Sequence, residues 1–162
     1  MKDKASFDGA YRVGVVRGPL SLFRLCGRNA AGEANNKYGR CWLNERFFWD
    51  AIDVVSNSTS NPAQFNHYLR LILREYTAVC HDWNSFAAIY QLRIPAGKNV
   101  EVAVGRIAAQ PFYSADDPGR RSSLPHQLLV GGEFQYIVDI NSEEMKRWVS
   151  GPLPMHFAVG RA

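Results

Sequence analysis

The sequence predicts an α+β domain with a mostly antiparallel sheet. Apolar residues recur at helical spacing in one block, between about residues 44 and 83, and at a spacing of two in segments before and after it. The length of 162 residues, 46% hydrophobic and 21% charged, predicts one domain over residues 1–162 with room for a sizeable core.

The first ten residues read as a loose lead-in. Leu20 to Cys26 then alternates as a strand, with Leu22 and Arg24 on one face and Phe23 and Leu25 on the other. Residues 27–38, rich in Gly, Asn and Ala, read as a loop, and Arg40 to Leu43 as a short apolar piece. Asn44 is placed to cap a helix running to about Val55, with Phe48, Ala51, Ile52 and Val55 on its apolar face. The polar break at 56–61 ends at Pro62, a favourable first helical residue. Phe65, Tyr68, Leu69, Ile72, Tyr76, Val79 and Trp83 then define the clearest amphipathic helix. Spacing changes to two at Phe86, Ala88, Tyr90, Leu92 and Ile94, a strand stopped by Pro95-Ala96-Gly97. Val100, Val102 and Val104 predict the next strand. Residues 108–126 form a long polar connection, and Gln127–Val130 and Glu133–Ile140 the last strong strand region. A short helix from Asn141 to Val149 and a Pro-rich tail close the chain.

Several function classes are excluded by what is missing. No apolar run approaches the ~20 residues of a membrane helix, and no repeat or low-complexity tract appears. The three cysteines, Cys26, Cys41 and Cys80, lack the spacing of a zinc knuckle or a disulfide framework. Cys26 and Cys41, inside apolar patterns, are expected to be small buried hydrophobes in a reducing compartment. The start, Met1 to Ser6, is polar and lacks a signal peptide's apolar segment. No His-based metal motif, nucleophile elbow or phosphate-binding glycine loop is found, so no metal is expected.

Charge is unevenly spread. Residues 1–48 hold nine Lys/Arg against four Asp/Glu, and residues 49–162 hold ten against eleven, so the net +4 resides in the first third. Such a basic region suits a phosphate-bearing partner.

Three segments point to chemistry. Arg24, inside the apolar stretch LSLFRL, cannot lose its charge: it sits in a structural ion pair, on an edge strand with that face in water, or at the floor of an anion-binding cleft. In Gly131-Gly132-Glu133-Phe134-Gln135-Tyr136, the glycines permit close backbone approach. Glu133 and Gln135 share a strand face about 7 Å apart, a device for gripping a sugar hydroxyl, unless this is an ordinary turn and edge strand. In Gly39-Arg40-Cys41-Trp42 the tryptophan serves either the core or a stacking platform for a flat heterocycle.

In this order these pieces resemble the ADP-ribosyltransferase superfamily, and more nearly bacterial polymorphic-toxin domains and necrotizing-toxin NAD glycohydrolases. The carriers are Phe23-Arg24, Gly39-Arg40-Cys41-Trp42, Ile94-Pro95-Ala96-Gly97, Val104-Gly105-Arg106-Ile107-Ala108-Ala109-Gln110 and Gly131 to Tyr136, over about residues 20–140. The resemblance implies a split, mostly antiparallel sheet with two helices inserted between early and late strands. It further implies NAD as substrate and cleavage of the nicotinamide–ribose bond. Carried over by position, Arg24 binds the NAD phosphates or ribose, Gln135 holds the nicotinamide ribose, and Glu133 helps activate an acceptor. Gly39, Arg40, Trp42, Gly131 and Gly132 then line the NAD cleft. Transferases of the Arg-Ser-Glu type carry Glu at the position of Gln135. The Ser58-Thr59-Ser60 found here lies between two helices and is not carried over, and Leu43 stands where many relatives have Ser or Thr.

The long 108–126 connection, with Phe112, Tyr113, Arg120 and Arg121, either reads a macromolecular target, protein or RNA, or is a disordered loop. The expected activity is a monomeric ADP-ribosyltransferase toxin or effector, acting in a target cell's cytosol after export by a specialised system and met there by a neutralising immunity protein. Membrane attachment is not expected. NAD hydrolysis without transfer is the alternative, and a non-catalytic basic nucleic-acid-binding domain a third reading.

Overall fold

The computed structural model describes residues 7–26, 37–77, 88–107, 110–111, 128–129 and 134–153. In chain order its elements are β1 (Phe7–Arg17), β2 (Leu20–Cys26), β3 (Cys41–Asn44), α1 (Glu45–Ser56) and α2 (Pro62–Thr77). These are followed by β4 (Ala88–Ile94), β5 (Asn99–Ile107), β6 (Gln110–Pro111), β7 (Leu128–Leu129), β8 (Phe134–Val138), α3 (Glu143–Arg147) and β9 (Val149–Leu153). The fold is α+β: seven strands form one sheet in the order β1-β5-β8-β3-β2-β4-β9, every pairing antiparallel, and β6 and β7 pair separately.

Local chemistry starts both long helices where the sequence places them. The Asn44 side chain accepts a hydrogen bond from the Arg46 amide at 2.7 Å, capping α1. Asn61 does the same for α2, accepting from the amides of Ala63 at 3.0 Å and Gln64 at 3.3 Å around Pro62, which has no N–H to satisfy. Phe48, Ala51, Ile52 and Val55 of α1 and Phe65, Leu69 and Leu73 of α2 pack on Phe23, Leu25, Leu43, Ile89 and Ile107 of the sheet. Phe23 and Phe48 stack at 4.6 Å, and the Trp49 ring stands edge-on to both.

The other sheet face buries Leu22, Cys26, Trp42, Tyr90, Leu92, Ile94, Val100, Val102 and Val138, with Met145, Trp148 and Val149 packed against them. Burial on both sides explains why β4 reads AIYQLRI, with Arg93 its one exposed residue, rather than alternating cleanly.

Three strands escape the sequence reading: the two-residue β6 inside the expected 108–126 connection, β1 and β9. Residues 7–10 of the expected lead-in are the start of β1, which pairs with β5 from Phe7↔Ile107 to Arg17↔Asn99 at the sheet edge. Its alternating Val13 and Val15 face solvent, 59% and 67% exposed, and Gly9 at φ 79° sits in the register shift between Phe7 and Tyr11, so no buried stripe announces the strand. The expected Pro-rich tail begins with β9, paired with β4 despite Gly151-Pro152. The helix expected from Asn141 to Val149 is shorter, capped by Ser142, whose Oγ accepts from the Met145 amide at 3.1 Å. Cys41 is exposed and Cys26 buried, so only one of these two follows the expectation for buried thiols. Cys80, the 108–109 and 112–126 part of the long connection and the expected end of α2 beyond Thr77 lie outside the described residues.

β2 is held unequally by its two neighbours. With β4 it forms seven residue pairs, from Leu20↔Ile94 to Cys26↔Ala88. With β3 it forms only Leu22↔Asn44 and Phe23↔Leu43. The sheet is thus two parts, β1-β5-β8-β3 and β2-β4-β9, joined at a seam two pairs long.

Candidate functional site

Arg24 is the first residue past that seam. It pairs with Tyr90 on β4, while on its other side the ladder with β3 has ended. Its Nη1 donates to the Cys41 carbonyl at 2.7 Å, so the guanidinium reaches from one part of the sheet to the other. Gly39 makes this possible: a Cβ there would fall on the guanidinium. The Gly39 carbonyl in turn accepts from Trp42 Nε1 at 2.9 Å. Burial pushes the Cys26 thiol pKa up, and the charge and hydrogen bond of Arg24 oppose that rise. Arg24 is therefore engaged by groups of the chain itself.

Gln135 occupies the second position of β8, opposite Leu43 on β3 and Gly105 on β5. Directly paired residues share a face. Phe23, Leu43, Gln135 and Gly105 thus form one row across four strands, on the side covered by α1 and α2. Gln135 is 4% exposed, a buried amide on the helix-covered face. Arg24, one residue beyond Phe23, projects to the opposite face with Leu22. The two residues expected to line one cleft therefore lie on opposite faces of the sheet. Alternation within a strand assigns each residue a face of its own strand but leaves open which faces coincide between strands, and the register decides that.

The remaining nominated residues divide. Trp42 is fully buried in the core, which leaves no ring face for a flat ligand. Arg40 Nε donates to Asp139 Oδ1 at 2.6 Å and the Arg40 carbonyl accepts from the Val138 amide at 2.8 Å, tying the start of β3 to the end of β8. Part of the positive charge of the first third is thus taken up by an ion pair at the protein surface. Gly131, Gly132, Glu133, Phe112, Tyr113, Arg120 and Arg121 lie outside the described residues.

Two polar residues on the helix-covered side were not nominated. Gln91, 8% exposed and paired with Phe23, accepts from Arg93 Nε at 3.1 Å. Arg70, half-buried on α2, has its Nε enclosed without a hydrogen-bond partner. Its sequence signal was a basic residue directly beside Leu69 in the RLILR run of an amphipathic helix.

Two surface depressions border the helices. One, of about 440 Å³, is lined by Val55, Ser58, Tyr68, Leu71 and Ile72. The other, of about 380 Å³, opens at the start of α1 and is rimmed by Glu45, Asp50 and Asp53 with Arg46, a balance unsuited to a pyrophosphate. Neither is lined by Arg24 or Gln135. Among the described residues no group of three or more His, Cys, Asp or Glu could hold a metal, and no helix is long and apolar enough to cross a membrane. No family model, curated protein or solved structure matches the chain.

Proposed function

We propose that the protein is an NAD-dependent ADP-ribosyltransferase of the toxin or effector kind, built on an ADP-ribosyltransferase-like split sheet. The observation that supports this most is the two-pair seam between β2 and β3, with α1 and α2 inserted between the early strands and β4, β5 and β8. The family resemblance implies that arrangement. In this reading Arg24 is a positioning residue that braces the two parts of the sheet through the Cys41 carbonyl. Gln135, on a rigid central strand, is the residue that meets the nicotinamide ribose. Cleaving the nicotinamide–ribose bond develops positive charge on the ribose and expels a neutral group. A fixed amide dipole that steadies the ribose therefore suits the step better than a strong acid.

One observation favours hydrolysis as the second reading: at 4% exposure, Gln135 is more readily approached by water than by a side chain of a target protein. Incubation with NAD, with and without cell lysate, followed by released nicotinamide and by label on macromolecules, separates the two. Transfer predicts lysate-dependent labelling that Gln135→Ala abolishes. Hydrolysis predicts nicotinamide release without lysate. Steeply salt-dependent RNA binding with no nicotinamide release would overturn both.

A further inference from the structure

β1 stands at the end of the sheet order, with β5 on one side and, among the described residues, no strand on the other. In an antiparallel strand alternate residues turn their N–H and C=O toward one neighbour, and the residues between turn theirs the opposite way. The outer side of β1 therefore presents a row of backbone donors and acceptors that a further strand can use. Arg12, Val13, Gly14, Val15 and Arg17 are all exposed, so this edge is accessible. Folded proteins commonly blunt such an edge by keeping it short or by placing a proline on it. This strand is eleven residues long and holds Val13 and Val15 out to solvent.

The stretch able to pair has defined ends. The ladder with β5 is continuous from Tyr11↔Gly105 to Arg17↔Asn99 and irregular between Phe7 and Tyr11. Beyond Arg17, Gly18 is buried so closely that a Cβ there would fall on the Pro95 carbonyl, and Pro19 has no N–H to donate. Seven regular residues remain, Tyr11 to Arg17, and Gly14 is the middle one.

That centre fits a second copy of the same strand. A two-fold axis through Gly14 pairs all seven residues: Val13 with Val15 of the second copy, Arg12 with its Val16, and Tyr11 with its Arg17, each pair occurring twice. Directly opposed residues share a face, so the outward valines of both copies meet in one apolar row. Arg17 then lies opposite an aromatic ring, a favourable partner for a guanidinium, and Arg12 lies opposite a valine. Sliding the second strand by one residue in one direction sets Arg12 against Arg17 of the other copy, a repulsive pair. Sliding it the other way carries Arg17 onto Ala10, inside the irregular segment.

We propose that two copies of this chain pair antiparallel through residues 11–17 of β1, centred on Gly14, and so join their two sheets into one. The protein is then a dimer in place of the expected monomer, whether or not NAD is its substrate. Sedimentation of the full chain over a range of concentrations tests it. One strand pair is a small interface, so a dissociation constant of about 1–100 μM is expected. Val13→Glu alters a pair that occurs twice and should weaken association by about 10-fold or more. Because Val13 is exposed, the thermal unfolding of the dilute variant should match that of wild type.

Disulfide trapping reads the register, in full-length protein that also carries Cys41→Ser and Cys80→Ser. Under mild oxidation Gly14→Cys should cross-link to itself, and a Cβ at that position meets nothing within 4 Å. Val13→Cys and Val15→Cys should each cross-link poorly alone and readily when mixed. A chain that stays monomeric across the whole concentration range overturns the proposal. So does a dimer that Val13→Glu leaves as tight as wild type, or Val13→Cys that cross-links alone as readily as in the mixture.

Discussion

On one side β2 meets β4 along seven residue pairs, and on the other it meets β3 along two. The long ladder is held by repetition, each pair adding a little to the next. The short one cannot be, so its strength is concentrated in particular groups: the Phe23 ring stacked on Phe48, the reach of Arg24 to the Cys41 carbonyl, and the absence of a side chain at Gly39. A sheet built this way has one strongly and one narrowly fastened joint. Single substitutions should therefore act very differently on the two.

The largest effect is expected from Phe23→Ala. It empties a 1%-exposed site between the seam and α1 and should cost about 3–5 kcal/mol, measured by denaturant unfolding. A change at Arg93, the exposed residue of the long ladder, should cost less, about 0.5–1.5 kcal/mol, the loss of its hydrogen bond to Gln91. Equal losses at the two positions would show that the joints do not differ.

Gly39→Ala comes next. Its new methyl displaces the Arg24 guanidinium and should cost about 1–3 kcal/mol. In a double-mutant cycle with Arg24→Ala the two losses should fail to add, because each removes the same arrangement; additive losses would separate Gly39 from Arg24.

A pH scan sharpens the comparison further. Burial raises the folded pKa of Cys26, so the folded state holds the proton where the unfolded chain releases it. That contribution is fully present below the ordinary thiol value, near about 8.5, and is lost as pH rises through the raised folded value. Cys26→Ala should flatten the decline. Arg24→Ala should raise the thiol pKa further, since the opposing charge is gone. In a Cys80→Ser background a thiol reagent should modify exposed Cys41 promptly and Cys26 only on unfolding.

The smallest effect belongs to the Arg40–Asp139 pair, whose side chains are 34% and 63% exposed. Arg40→Ala should cost about 0.2–1 kcal/mol and less at high salt.

Much of this architecture is legible in the sequence, because burial writes periodicity. The α1 stripe at Phe48, Ala51, Ile52 and Val55 is the stripe the core uses, and Asn44 caps where its position suggests. Where burial is absent or two-sided, legibility fails. The exposed valines of β1 and the Gly-Pro of β9 hide two strands, and no local pattern shows that the Gln135 side of β8, where Ile137 is also buried, is covered while Phe134 on the other side stays exposed. The candidate site suffered most for a related reason. Phe23↔Leu43↔Gln135 is a register between residues 20 and 92 positions apart in the chain, and no local pattern encodes it. Arg24 was legible as an arginine that must be satisfied, but not that a backbone carbonyl would be what satisfies it.

The edge strand has a consequence for the newborn chain. β1 is made before its partners on β5, which stand between 82 and 100 positions further along. Until β5 has been made, an eleven-residue strand with outward valines waits without its template. Pairings of such long range are slow to form and expose sticky edges meanwhile. Fusing β1 behind the C-terminus by circular permutation would change the order of assembly while leaving the finished sheet the same.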